Sequence, residues 1–140
     1  MIRILVIDDD SSVGAAIATV LRHNDCAVVV KNSSPLAIDA FDAAAFDLVM
    51  VDIFMPEPEG LETIKYLRKR APAIPIVAMS GFRFRSTIVP TLDFLEMAAA
   101  LGATCCLRKP FGPAQMMAAI NACLSAESGA RAAQRGEPAT

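Results

Sequence analysis

Five short runs of apolar, largely β-branched residues recur along this chain, and they restrict the folds that it can adopt. Each run is almost continuously apolar. That pattern is typical of a parallel β-strand buried on both faces, because a strand with one face in water would alternate apolar and polar residues. The predicted strands are Ile2–Ile7, Cys26–Val30, Leu48–Val51, Ile76–Met79 and Thr104–Leu107.

The segments between these runs carry apolar residues at the spacing of amphipathic helices. The first helix is expected to begin at the caps Ser11 and Ser12, and the second at the cap Ser34. Gly102 is expected to end the fourth helix, and Pro113 to begin the fifth. Strand and helix therefore alternate, which predicts an α/β, doubly wound parallel sheet with helices on both faces.

Length, charge and cysteine content narrow the class of protein. With 140 residues, of which 54% are hydrophobic, the chain suits one domain with one core. A formal net charge of −2 argues against a nucleic-acid surface, and no apolar stretch is long enough for a membrane span. The four cysteines lack metal-ligand spacing and nothing resembles a signal peptide, so we expect reduced thiols in a cytoplasmic protein.

The end of the chain differs in character from the rest. Residues 125–140 have few large apolar side chains and no periodicity, so we expect a folded domain over residues 1–124 and a disordered tail. Cys105 and Cys106 should point to opposite faces of the last strand and act as small buried hydrophobes rather than redox sensors. His23 is expected to be a cation at a helix C-terminus rather than a phosphate carrier.

Polar residues lie at or close behind the ends of four predicted strands. Ligands of open α/β sheets bind beyond the carboxyl ends of the strands, so these residues are expected to meet in one crevice. Clustered carboxylates repel one another, so some must take up a proton or bind a cation, and a few hard oxygen ligands favour magnesium. A carboxylate, a hydroxyl, an ammonium and a metal ion suit phosphoryl transfer onto an aspartate, although each residue alone has an ordinary explanation as a cap or turn. The residues are Asp8, Asp9, Asp10, Asp52, Ser80 and Lys109.

Four segments of the chain resemble the receiver domain of two-component response regulators. They are ILVIDDD at residues 4–10, DLVMVDIFMPEPEGLE at 47–62, PIVAMSG at 75–81 and GATCCLRKPF at 102–111. The resemblance covers residues 2–124 and implies a flavodoxin-like five-stranded sheet of strand order 2-1-3-4-5 with five helices. It also implies a Mg²⁺-dependent phospho-switch or relay, not a turnover enzyme, that receives its phosphoryl group from a histidine kinase or phosphotransfer protein.

The resemblance also assigns roles to individual residues. Asp52 resembles the phosphoacceptor, Ser80 the switch hydroxyl, and Lys109 the lysine that pairs with the phosphoryl group. Lys109 precedes a proline, Pro110, and this peptide bond is cis in the family. The positions that resemble magnesium ligands are Asp8, Asp9, Asp52 and the backbone carbonyl of Phe54.

Two departures from the family pattern affect how such a domain would signal its phosphorylation state to other proteins. The family usually has an aromatic residue three positions before the lysine, where this chain has Cys106, so the usual coupling of hydroxyl movement to a ring is expected to be absent. The spacing from Ser80 to Lys109 is longer than the common one by about seven residues, and the excess lies within residues 81–94. A functional loop and a neutral insertion both fit that excess.

Further positions match the family more loosely. Asp10 is expected to serve the start of the first helix, and Glu57, Pro58 and Gly60 match the loop and turn into the third helix. One hypothesis is that Phe54 and Phe82 shield the phosphoryl group from water and make it long-lived, which a half-life of seconds would contradict; the alternative is that both rings only pack.

Other functions remain open at the level of the sequence. Asp8 to Ser12 partly imitates the nucleophile motif of haloacid-dehalogenase-type phosphatases, but the strongest nucleophile match is Asp52, on the third strand. The chain is also compatible with a fragment of a larger regulator or an interaction module that works without phosphorylation. We expect a monomer or weak homodimer that acts on a downstream protein whose identity is unknown. We expect no direct contact with nucleic acid or membrane.

Overall fold

The computed structural model describes residues 1–55, 59–80 and 94–134. At residues 59, 94–97 and 126–134 it describes the backbone alone. Strands and helices alternate along these ranges. The strands are β1 (Ile2–Ile7), β2 (Cys26–Lys31), β3 (Leu48–Asp52), β4 (Ile76–Ser80) and β5 (Cys105–Arg108). The helices are α1 (Ser11–His23), α2 (Ser34–Ala43), α3 (Glu59–Arg70), α4 (Phe94–Leu101) and α5 (Pro113–Gln134).

The strands form one parallel sheet in the order β2-β1-β3-β4-β5, which confirms the predicted fold class and strand order. β1 and β3 lie next to each other, with Ile7 opposite Val51. β3 in turn pairs with β4, with Asp52 opposite Met79. Because all strands run the same way, the predicted site residues come to one edge of the sheet.

Two apolar layers cover the two faces of the sheet and explain the continuous apolar runs. In β1, Leu5 and Ile7 pack on the side of α2, α3 and α4. Ile4 and Val6 pack on the opposite side, with α1 and α5. All four side chains are 0% exposed, as expected for a strand whose neighbouring residues point to opposite faces that are both buried.

The cap of α1 is Asp10, which confirms its predicted role at the helix start. Ser11 and Ser12, the predicted caps, are instead the first two residues of the helix. Asp10 Oδ1 accepts the backbone N–H groups of Ser12 and Val13, at 2.9 and 3.3 Å. A carboxylate also interacts favourably with the positive end of the helix dipole, so it satisfies this helix start better than a hydroxyl.

The cap of α2 is Ser33 and not the predicted Ser34, a shift of one residue. Ser33 has an extended backbone, and its Oγ accepts the N–H of Leu36 at 3.4 Å. Ser34 is instead buried and forms a hydrogen bond with the hydroxyl of Thr63 in α3. The buried hydroxyl has a partner in α3, which leaves the capping role to its neighbour.

The connection from α4 to β5 is anchored by Arg68, a residue that the sequence did not single out. Gly102 ends α4 as predicted, with a φ of +120° that favours glycine. The Arg68 guanidinium donates to the Gly102 carbonyl at 3.2 and 2.6 Å. It also donates to three carbonyls that follow α3, those of Ala71, Pro72 and Ile74. One arginine thus ties the end of α3 to the end of α4.

The C-terminal helix is longer than expected. Residues 125–140 were predicted to be a disordered tail, but α5 continues through Gln134. The segment contains Ala126, Ala130, Ala132 and Ala133, and alanine has the highest helix propensity of all residues. The part of the predicted tail from residue 135 to 140 lies outside the described residues.

The cysteines differ from the expectation of reduced thiols in which Cys105 and Cys106 are buried. Cys105 in β5 and Cys123 in α5 form a disulfide, although 18 positions separate them and no spacing motif marks the pair. Cys106 points to the other face of β5 and is exposed rather than buried. Cys26 is buried and has a free thiol, as expected.

Gly60 lets the N-terminus of α3 approach β3 closely, and its replacement by alanine tests this packing. A Cβ on Gly60 would lie 2.4 Å from Ile53 Cα and 2.5 Å from the Asp52 carbonyl oxygen, so backbone must move. We expect Gly60→Ala to lower the free energy of unfolding by about 1–3 kcal/mol in urea titrations. Gly112→Ala is the matched control, since a Cβ there meets nothing within 4 Å. Equal unfolding midpoints for the two variants would contradict the role of Gly60.

Candidate functional site

Three aspartates meet at the carboxyl edge of the sheet. Asp8 directly follows β1, and Asp52 is the last residue of the adjacent strand β3. One carboxylate oxygen from each of Asp8, Asp9 and Asp52 lies within 4.8 Å of the others. Asp8 is 0% exposed and Asp52 is 3% exposed, so their charges are largely removed from water.

Backbone N–H groups orient two of these carboxylates. Asp8 Oδ1 accepts the N–H of Asp10 at 2.9 Å, and Asp52 Oδ1 accepts the N–H of Phe54 at 2.9 Å. In each case the donor lies two residues after the acceptor, a local turn that leaves Oδ2 available for other partners. The carbonyl of Phe54 is the group that the resemblance implies at the site, and this N–H has no counterpart among the predictions. The backbone of Phe54 therefore lies at the site as predicted, while its role as a metal ligand stays a prediction.

Lys109 reaches the aspartates from the end of β5. Its Nζ lies 2.7 Å from Asp8 Oδ2 and 3.4 Å from Asp52 Oδ2. Its backbone N–H donates to the carbonyl of Ser80 at 2.9 Å, and its peptide bond to Pro110 is cis, as the resemblance implied. The ammonium thus stands between two acids that belong to different strands.

Ser80 is the last residue of β4, next to the strand that carries Asp52. It is 7% exposed, and the register places Met79 opposite Asp52. Five predicted side chains and the Phe54 backbone therefore lie at one edge of the sheet. Predictions for Glu57, Pro58, Phe82 and most of the long segment 81–94 fall outside the described residues.

Burial raises the pKa of Asp52 from its ordinary 3.8 to about 6. The Phe54 N–H and the Lys109 ammonium oppose this rise, because both stabilise the charged carboxylate. The nearby carboxylate of Asp8 raises the pKa of Asp52 further. One ammonium does not neutralise three carboxylates, so the site has a demand for positive charge.

The residues fit a bound divalent cation. Asp9 Oδ1 is buried and has no hydrogen-bond partner among the described residues. An unpaired carboxylate oxygen that is shielded from water is costly, and a cation would satisfy it. All three candidate ligands are hard oxygen donors, which suits magnesium better than a transition metal.

Replacement of Asp52 by asparagine tests the burial of its charge. Since the folded pKa lies above the unfolded value, native Asp52 holds a proton between about pH 4 and pH 6 that the unfolded chain has released. Its stabilising contribution is present below pH 4 and is lost as the pH rises through 6. Without metal ions, we therefore expect Asp52→Asn to raise the free energy of unfolding at pH 7.5, relative to pH 4, by up to about 3 kcal/mol.

The measurement is urea unfolding of the metal-free protein at both pH values. Asp39→Asn is the control, because Asp39 lies exposed on α2, away from the aspartate cluster. An Asp52→Asn effect that is the same at both pH values would show that the carboxylate titrates normally in the folded protein.

The sequence of this chain matches known proteins of one family. A protein-family model described as the response regulator receiver domain matches residues 4–121. The sensory transduction protein RegX3 of Mycobacterium tuberculosis is 28% identical over 124 residues, which cover 89% of this chain and 51% of that protein. The transcriptional regulatory protein FixJ of Azorhizobium caulinodans is 33% identical over 134 residues, which cover 94% of this chain and 60% of that protein.

Solved structures agree with these sequence matches. A response regulator receiver domain protein from Clostridium thermocellum has a TM-score of 0.79 and 26% identity, covering 91% of this chain and 98% of that one. A response regulator receiver protein from Burkholderia phymatum has a TM-score of 0.74 and 29% identity, covering 89% and 95%. The chain spans about half the length of the RegX3 relative and nearly all of these two structures. With a family match over residues 4–121, the chain belongs to the response regulator receiver domains of two-component signalling.

Proposed function

We propose that this receiver accepts a phosphoryl group on Asp52 from a histidine kinase or phosphotransfer protein, with magnesium bound, and acts as a phospho-switch or relay. The contact of the Lys109 ammonium with both Asp52 and Asp8 carries the proposal. It places a cation beside a buried carboxylate at the end of a central strand, where ligands of such sheets bind.

In the proposed reaction a carboxylate oxygen of Asp52 attacks phosphorus while the bond from phosphorus to the donor nitrogen breaks. A proton goes to the leaving imidazole. The Phe54 N–H holds Asp52 Oδ1, so Oδ2, which faces Lys109, is the oxygen with the freer lone pairs. Lys109 keeps the carboxylate ionised and stabilises the negative charge of the incoming phosphoryl oxygens. Bound magnesium would offset the charge of the carboxylates and the phosphoryl group.

Residues at this edge of the sheet would hold the metal, and one of them would respond to the phosphorylation of Asp52. Asp8, Asp9, Asp52 and the carbonyl of Phe54 are the proposed ligands, and the orphaned Asp9 oxygen supports this assignment. The hydroxyl of Ser80 is the proposed switch group that binds the phosphoryl oxygens. With Cys106 exposed in place of a ring, this movement is not read out through an aromatic rotamer in the usual manner.

The site fits a switch better than a phosphatase of the haloacid-dehalogenase type. In the motif of such an enzyme, a second acid stands two positions after the first. Here the second acid is Asp10, whose Oδ1 already accepts two backbone N–H groups as the cap of α1. We therefore propose self-assisted phosphorylation and dephosphorylation without sustained turnover of a substrate.

Charge and hydropathy support a partner that is a protein. The basic residues at the end of α3 are largely engaged, since Arg68 binds backbone carbonyls and Arg70 pairs with Asp42 at 2.6 Å. No helix in the described ranges is long and apolar enough to cross a bilayer. We propose a cytoplasmic location and a stand-alone switch that is a monomer or weak homodimer. A receiver joined to an output domain, as in longer regulators, would be phosphorylated in the same way and would act on the attached domain.

Phosphorylation with acetyl phosphate tests the role of Asp52. We expect the intact mass of the wild-type protein to rise by one phosphoryl group when magnesium is present, and not when it is chelated. Asp52→Asn should show no such adduct because it lacks the nucleophilic oxygen. Asp39→Asn, which alters an exposed acid on α2, should react like the wild type. An adduct on folded Asp52→Asn would refute the assignment.

Magnesium binding gives a second, separate test. We expect added Mg²⁺ to raise the thermal unfolding midpoint, with a stabilisation of about 2.7 kcal/mol at a hundredfold excess over the dissociation constant. Asp9→Asn should lose most of this shift, because it removes the carboxylate whose buried oxygen has no protein partner. Asp39→Asn should keep it. A shift of equal size in all three proteins would place the metal elsewhere.

A further inference from the structure

We propose that Cys105 and Cys123 form a reversible dithiol–disulfide couple, which small-molecule disulfides oxidise and small thiols reduce. The two residues link β5 to α5, and their Cα atoms are 6.4 Å apart, within the range of native disulfides. The proposal does not depend on the chemistry of Asp52. It makes the edge strand β5 a site of covalent modification.

The surroundings of the two sulfurs differ and set the order of reaction. Cys123 is 0% exposed, within the apolar layer formed by α1 and α5. Cys105 lies in the edge strand β5 and is only partly buried. An external reagent therefore reaches the sulfur of Cys105 first, and Cys123 acts from inside the protein as the resolving thiol.

Oxidation would proceed in two exchange steps that balance. The Cys105 thiolate attacks one sulfur of a small disulfide, which gives a mixed disulfide and releases one small thiolate. The Cys123 thiolate then attacks the Cys105 sulfur and releases the second small thiolate. The protein loses two protons and two electrons, and the reagent is reduced to two thiols. Reduction reverses the sequence, beginning with attack of a small thiolate on the Cys105 sulfur.

The other cysteines cannot replace either partner. Cys26 lies in β2, at the opposite edge of the sheet from β5, and burial raises the pKa of its thiol, with a further rise from the charge of Asp25. Cys106 is exposed but points to the face of β5 away from α5. The fold thus brings together one pair of cysteines and keeps the other two apart from it.

The bond also changes what holds α5 to the sheet. It closes the segment from Cys105 to Cys123, which contains Lys109 and the whole connection between β5 and α5. In the reduced protein, the packing of Leu107, Met116 and their neighbours would hold α5 without this covalent restraint. Disulfides in reducing compartments are usually transient, so under the proposed cytoplasmic location this restraint would follow the state of the thiol pool.

The test equilibrates the full chain in glutathione buffers of rising oxidised fraction, then traps thiols with N-ethylmaleimide after acid quenching and unfolding. With four cysteines in the chain, we expect four adducts in the reduced protein and two in the oxidised protein. Peptide mapping should find the disulfide between Cys105 and Cys123. Four adducts in every buffer, or a bond that joins Cys106 or Cys26 to another cysteine of the chain, would overturn the proposal.

Three variants separate the roles of the sulfurs. Cys106→Ser should pass from three adducts to one at the same midpoint as the wild-type transition, since its exposed thiol takes no part. Cys123→Ala should trap glutathione on Cys105, because the resolving thiol is gone. Cys105→Ser should gain no glutathione on buried Cys123 while folded. A shifted midpoint in Cys106→Ser would show that Cys106 takes part in the transition. Trapping on Cys123 rather than Cys105 would contradict the assigned order of reaction. The peptide map of the wild-type protein decides the pairing even where a variant fails to fold.

Amide hydrogen exchange tests whether the disulfide restrains α5. Amide hydrogen exchange should slow in α5 around Cys123 in the oxidised protein relative to the reduced protein, while α2, which lies on the other face of the sheet, exchanges equally in both. Equal exchange of α5 in both forms would show that the bond does not restrain the helix.

Discussion

The ion pair between Lys109 and the carboxylates of Asp8 and Asp52 is the interaction on which the site depends. Removing a carboxylate from water costs several kcal/mol unless a counter-charge stands close by, and here two acids on adjacent elements of the sheet share one ammonium. The remaining imbalance is visible in the raised pKa of Asp52 and in the buried, unpartnered oxygen of Asp9. Both features fit a site that a bound cation would complete.

The rest of the fold holds these charges in place. The parallel sheet brings the ends of β1, β3, β4 and β5 to one edge, and apolar layers on both faces prevent the strands from shifting register. A slip by one residue would turn Asp52 toward the other face and bury the wrong side chains. Gly60 contributes by letting α3 begin directly against the backbone that follows Asp52. The precision of the site is therefore a property of packing around it, not of the acids alone.

Features that depend on local composition could be predicted from the sequence, and features that depend on contacts across the fold could not. The five strands follow from apolar runs, and the site residues follow from the polar positions at their ends. Asp10 serves the start of α1 as expected, but Ser11 and Ser12 are not caps, and the cap of α2 is Ser33 rather than Ser34. Capping depends on backbone angles and on whether a neighbour such as Ser34 is buried. The disulfide of Cys105 and Cys123 has no sequence signal, since it depends on how α5 lies against β5.

The geometry at the end of β5 bears on how the domain transmits its state. Lys109 contacts Asp52 through its ammonium and the carbonyl of Ser80 through its backbone N–H, so it links the end of β3 to the end of β4. A phosphoryl group on Asp52 would compete with Asp8 for the ammonium, and any shift of Lys109 would act on both neighbouring strand ends. With a small, exposed cysteine at position 106, no ring stands on β5 to carry that movement outward. The connection from Lys109 to α5 leads away from this ion pair, and it lies within the segment that the cysteine pair encloses.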